Sequence, residues 1–264
     1  MTELQLNQRL HYTLRVAVAL CFIGHGAFGI ITKAVWCNYF GVVGISKTSA
    51  YQLMPIVGSI DIILGITMLV YPVRAVAGWL VIWGIVTASL RPLSGEPVAE
   101  LVERAGNYGA PLALLILTGM PKRLPDWFTR MQPVQQFSKA ALANCFFCLK
   151  IAAFMLLLGH GWLNVTGKKG LLDQYAALGF THPMEVAQAA GIFEMIAAGM
   201  ILIKPFRSLL LVILFWKIAT EIFYPHYKIF EWVERGGSYG VLLALWFVTR
   251  NITTFEWRKP TIAV

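Results

Sequence analysis

The sequence predicts an all-α, polytopic membrane protein of eight transmembrane helices, arranged as two parallel four-helix-bundle repeats. Three observations predict it. Hydrophobic residues make up 58% of the 264 residues, charged residues only 13%, and mean hydropathy is +0.66. A soluble domain is about half apolar and about a quarter charged. Apolar runs near the roughly 20 residues that cross a bilayer recur along the chain. The second half of the chain then repeats the first.

The runs are 13–31, 52–71, 74–91, 105–121, 143–163, 184–203, 206–224 and 236–250. The tight turns YPVR (71–74) and KPFR (204–207) carry a proline, which starts a following helix well. The opening MTELQLNQRLHYTLR lacks the apolar core and small-residue cleavage site of a signal peptide, so the first run reads as a retained helix. An even number of spans puts both termini on one side. That side carries 12 basic residues against 8 on the other, which favours cytoplasmic termini in a plasma or inner membrane. The net charge of +9 is accounted for by this bias, so the bilayer is the implied partner and nucleic acid is not.

The halves align segment by segment. IGHGAFG (23–29) matches LGHGWLN (158–164), and GSIDIILGITMLVYPVR (58–74) matches GIFEMIAAGMILIKPFR (191–207). WGIVTASLRP (83–92) matches WKIATEIFYP (216–225), and LVERAGNYGAPLALLIL (101–117) matches WVERGGSYGVLLALWFV (232–248). The order is the same and the spacings run from 131 to 135 residues. Four spans per copy preserve topology, so the repeats are parallel and related by an axis along the membrane normal. The expected organisation is a first repeat over 1–121, a basic cytoplasmic linker over 122–140, and a second repeat over 141–264.

Ionisable residues at membrane depth are rare and usually face a bundle interior. Asp61 corresponds to Glu194, His25 to His160, and Tyr108 to Tyr239. The pair Glu103 and Arg104 corresponds to Glu234 and Arg235. At about 1.5 Å per residue, Asp61 and Glu194 lie roughly 14 Å from the outer ends of their helices, near the midplane. Gly58, Asp61 and Gly65 share a helix face, as do Gly191, Glu194 and Ala198, and small residues let a neighbouring backbone approach. Each acid is therefore expected beside the helix that carries the histidine. Lys217 and Glu221, at i and i+4, replace Gly84 and Ala88 and are spaced to pair. Two readings stay open for these groups: proton handling or ligand binding, and helix cross-linking worth about 0.6 kcal/mol per hydrogen bond. A metal site is not expected. Haem between His25 and His160 is the least favoured ligand.

Other residues read as structural. Cys145 and Cys148, in CFFC, lie on one apolar helix face. Trp36, Trp79, Trp127, Trp162 and Trp257 fall near interfaces, where tryptophan anchors. His182, His226 and Lys228 fall on outer loops. The duplicated ERxGxYG reads as a helix-start and close-packing element. No phosphate-binding loop, dinucleotide fingerprint or hydrolase motif occurs, so no self-contained catalytic motif is present.

GSIDIILGITMLVYPVRAVAGWL and GIFEMIAAGMILIKPFRSLLLVI, with the preceding GHG, resemble the corresponding stretches of the DoxX-like membrane proteins. The acid, the glycine-rich face and the arginine after a short turn carry the resemblance, which covers most of each half. It implies a four-helix unit in tandem, and an accessory or quinone-interacting subunit of a membrane redox system, with a redox enzyme as partner and quinone as cofactor. A proton-coupled carrier of a small solute, or an assembly protein, is the alternative expectation.

Overall fold

The computed structural model describes residues 3–133, 137–222 and 229–249. Among the described residues there are thirteen helices and no strand beyond a single bridge between Val73 and Arg130. In chain order they are α1 (Glu3–Ile30), α2 (Trp36–Val42), α3 (Lys47–Val70), α4 (Arg74–Leu93), α5 (Ala99–Glu103) and α6 (Ala105–Thr118). After α7 (Leu124–Trp127) come α8 (Lys139–Val165), α9 (Lys169–Ala177), α10 (Pro183–Ile203), α11 (Arg207–Ile222), α12 (Ile229–Glu234) and α13 (Gly236–Thr249).

Local chemistry sets these bounds. Ser46 and Ser138 accept from the amides of Ser49 and Ala141, capping α3 and α8. Pro183 opens α10. The turn prolines Pro72 and Pro205 lie two residues before their helices, which start at Arg74 and Arg207. Arg74 donates from Nε to Gly119 O (3.2 Å) and from Nη2 to Thr118 O (2.9 Å). These bonds satisfy open carbonyls at the α6 C-terminus.

Among the described residues five helices (α1, α3, α4, α8 and α10) are long and apolar enough to cross a membrane. Their outward faces agree with that. Ile56, Ile60 and Ile63 of α3 and Ile82 and Ile85 of α4 are exposed at helical spacing. An apolar surface of that extent suits lipid rather than water. Over the other three runs the described residues form helices of 14 residues in α6, 16 in α11 and 14 in α13. Arg104 and Arg235 interrupt the helix, so α5–α6 and α12–α13 are broken pairs over 99–118 and 229–249. Broken helices are tolerated at membrane depth where protein covers them.

The helices do not sort into two self-contained bundles. α1 packs on α3, but it packs more extensively on α13 than on α6, and α8 packs more on α6 than on α13. α12 lies on α1 and α5 lies on α8. The reason is steric. A Cβ on Gly24 would sit 2.6 Å from Glu234 Cα, and one on Gly159 would sit 2.7 Å from Glu103 Cα. The glycines of each GHG thus admit the backbone of the other half's Glu-Arg corner. Those two corners continue into Gly106 and Gly237, which meet each other: a Cβ on Gly237 would lie 2.7 Å from Gly106 O. The core between them is sealed by Leu14, Leu114, Leu149, Leu157, Val241 and Leu245, all fully buried.

Candidate functional site

α1 carries His25 and α3 carries Asp61. Gly26 and Gly58 let the two helices touch backbone to backbone, which brings the side chains together. His25 Nδ1 lies 2.7 Å from Asp61 Oδ2, and Asp61 is 1% exposed. A carboxylate on Nδ1 holds the proton there and leaves the Nε2 lone pair available as an acceptor. The His25 ring also lies against Trp36, with centroids 4.7 Å apart. Trp36 is buried, so it is a wall of this site and not an interface anchor.

His25, Trp36, Tyr39, Phe40, Trp83 and Arg104 belong to the wall of a cavity of about 220 Å³. Val43, just after α2, and Val86 of α4 also line it and are themselves exposed, Val86 on the same side of α4 as Ile82 and Ile85. Tyr39 donates to Glu96 Oε1 at 2.6 Å. Burial pushes its phenol up, so it remains a donor.

The second half repeats this geometry with a different outcome. His160 Nδ1 lies 2.5 Å from Glu194 Oε2. Trp216 Nε1 donates to Glu194 Oε1 at 2.9 Å, and Lys217 Nζ lies 3.8 Å from that oxygen. Asn164 Nδ2 donates to the His160 carbonyl, and Tyr175 donates to Asn164 Oδ1. Asp61 is one methylene shorter than Glu194, and the indole N–H of Trp83 is buried with no partner among the described residues. A hydrogen bond to a charged group is worth about 1.5–3 kcal/mol. Trp216→Phe is therefore expected to destabilise the protein by about that much more than Trp83→Phe. Parallel thermal unfolding of both variants in one detergent measures the difference.

From Glu194 a run of ion pairs leads to a second cavity. Lys217 pairs with Glu221 at 3.3 Å across one helical turn. Glu221 pairs with Arg235, and Arg235 Nη1 reaches Glu103 Oε1 at 3.3 Å. Arg104 Nη1 lies 2.8 Å from both Glu103 and Glu100. Glu100 also pairs with Lys168 and Arg91. Lys33 closes the group on Glu231 at 3.1 Å. All of these but Glu194, Lys217 and Glu221 line a polar cavity of about 300 Å³, which His160 also lines. Eight of the chain's thirteen acids gather in and around the two sites: Asp61, Glu96, Glu100, Glu103, Glu194, Glu221, Glu231 and Glu234. Buried charges persist when paired.

Of the sequence-predicted residues, the structure joins His25 with Asp61, His160 with Glu194, and Lys217 with both Glu194 and Glu221. Glu103 and Glu234 end α5 and α12, Arg104 and Arg235 precede α6 and α13, and all four line the charged cavity. Tyr108 and Tyr239 stay apart from these pairs. Tyr108 donates to the Leu101 carbonyl at 3.3 Å, and the Tyr239 hydroxyl is buried with no partner among the described residues. The two histidines line different cavities. All four cysteines are free, and Cys148 Sγ lies 3.8 Å from Gly109 O, consistent with packing residues. Trp79 and Trp162 are exposed, and Trp127 packs on Gly78. His182 is exposed beside Glu185. His226, Lys228 and Trp257 lie outside the described residues. Among the described residues no group of three or more His, Cys, Asp or Glu is placed to hold a metal ion.

Sequence reading missed Tyr39, Trp83, Glu96, Glu100, Asn164 and Trp216 as site residues. Two of them carried a signal: Trp83 and Trp216 hold the same position in both repeats. No family model matches the chain, and no curated protein or solved structure matches it either.

Proposed function

We propose that the chain is a DoxX-like integral membrane protein, built as a tandem of two four-span units with cytoplasmic termini. In this reading it serves a membrane redox system as a quinone-interacting subunit, with His25 and Asp61 handling protons. One observation carries the reading: an imidazole oriented by a buried carboxylate lines an aromatic cavity whose rim is apolar and exposed. At about 220 Å³ the cavity is smaller than the ~300 Å³ at which pockets for drug-sized ligands begin. It suits a single ring, with an apolar tail left in lipid beside Val43 and Val86. A quinone exchanges protons together with electrons. His25 Nε2 accepts a proton from a quinol, the imidazolium that forms is stabilised by Asp61 and donates to a quinone carbonyl, and the Trp36 and Phe40 rings exclude water. Duplication accounts for the matched order of helices and for the meeting of Gly106 with Gly237.

Titration of the protein in nanodiscs with duroquinone, followed by tryptophan fluorescence, tests the reading. Saturable quenching is expected, because Trp36 and Trp83 line the cavity. His25→Ala is expected to weaken binding about tenfold or more, the equivalent of one lost charge-assisted hydrogen bond. An absence of saturable quenching in the wild type would sink it. Uptake of a small solute driven by a pH gradient and abolished by Glu194→Gln would favour a proton-coupled carrier instead, a reading that the charged cavity supports.

A further inference from the structure

The cavity that holds His25 and the charged cavity beside it share a wall. Tyr39, Arg91, Arg104 and Glu234 line both. Three of these four are fixed by their chemistry or partners. Tyr39 donates to Glu96, and Arg91 and Arg104 are permanent cations held by Glu100. Arginine does not deprotonate in a protein. Glu234 is different. Among the described residues no ion pair or hydrogen bond holds its carboxylate, whereas its counterpart Glu103 is held by both Arg104 and Arg235. The Glu234 backbone is pressed against Gly24, the residue before His25.

The charges that face Glu234 come from every element around it. His25 lies on α1, Lys33 follows α1, Arg104 joins α5 to α6, and Arg235 is its chain neighbour. The charged cavity continues past Glu234 to Lys33, Glu96 and Lys168, whose side chains are 33%, 24% and 37% exposed. The way from His25 to water therefore passes a carboxylate that belongs to the opposite half of the chain.

We infer that Glu234 is the proton-exchange residue of the His25 cavity, passing protons between His25 and the water-accessible charged cavity. The step is a proton transfer alone. The imidazolium gives its proton to the Glu234 carboxylate, the imidazole becomes neutral, and the resulting carboxylic acid releases the proton to water in the charged cavity. Nearby cations hold the resting carboxylate below its ordinary range, so it takes the proton only transiently and gives it up to water at once. The inference builds on the reading of His25 as the proton-handling group.

Nitrogen-15 NMR of histidine-labelled protein in nanodiscs tests it, with His25 assigned by its loss in His25→Asn. Near the His25 midpoint, exchange between neutral and charged rings is expected to be roughly tenfold or more slower in Glu234→Gln, the size of effect a lost general acid–base group gives. Glu234→Asp keeps a carboxylate and is expected to restore fast exchange, which a merely structural role would not require. Duroquinone binding is measured on the same samples, so that the proton-exchange inference and the quinone reading are scored separately. Unchanged His25 exchange in a folded Glu234→Gln would overturn the inference and leave the quinone reading standing. Slowed exchange in a protein that never binds duroquinone would do the reverse. If Glu234→Gln does not fold, slow exchange in Glu234→Asp despite its carboxylate is the overturning result.

Discussion

Lys217→Met is expected to destabilise the protein by about 3–5 kcal/mol, the usual loss when one partner of a buried ion pair is removed. Lys217 is 1% exposed and lies between Glu194 and Glu221, themselves 1% and 4% exposed. Methionine fills much of the space but leaves two carboxylates near each other with one cation fewer. Adding Glu221→Gln is expected to recover part of the loss, because it removes one of the uncompensated charges. Lys33→Met is the contrast. Lys33 pairs with Glu231 near the surface, with a third of its side chain exposed, and such pairs contribute about 1 kcal/mol or less. Unfolding in a common detergent ranks the variants. Equal losses for Lys217→Met and Lys33→Met would show that the Lys217 cluster is as hydrated as the surface.

Gly24→Val and Gly159→Val are expected to be as damaging, for a steric reason. At both positions the first atom of a side chain would overlap backbone, not a flexible side chain, from the other half of the chain. Backbone cannot turn aside, so the cost falls at or beyond the upper end of the usual overpacking range, about 3 kcal/mol. The double variant is expected to lose the compact fold, read as accelerated proteolysis and loss of a monodisperse peak on size exclusion. Gly170→Ala is the control, since a Cβ there meets nothing within 4 Å. Normal behaviour of Gly24→Val would contradict the close contact between GHG and the opposite Glu-Arg corner.

How much of this was legible in the sequence depends on the range of each contact. The pairs His25–Asp61 and His160–Glu194 could be read from glycine spacing on adjacent helices. The Lys217–Glu221 pair follows from a four-residue interval on a single helix. The charged cavity could not be read, because its members sit in connecting segments with no periodicity. Lys168 meets Glu100 across 68 residues, and Lys33 meets Glu231 across 198. The short helices α2 and α9 were invisible for the same reason. The exchange between halves was hidden by the repeat itself. Two near-identical Glu-Arg corners and two near-identical GHG stretches fit equally well within a half or across halves. Only the packing of α12 on α1 and α5 on α8 separates the two arrangements. Among the described residues the Trp83 N–H finds no partner, whereas Trp216 bonds Glu194, which is one methylene longer than Asp61. That difference was visible, but its consequence depends on the position of Trp83 in space.

The central claim is that the lipid-facing cavity at His25 and Asp61 holds a quinone. Organic extraction of the detergent-purified wild type, His25→Ala and the exposed-site control His182→Ala, with quinone assayed in each extract, tests it most directly. Quinone near stoichiometry in the wild type and the control, with little in folded His25→Ala, is the expected result. Equal quinone in all three, or none in the wild type, would contradict the claim.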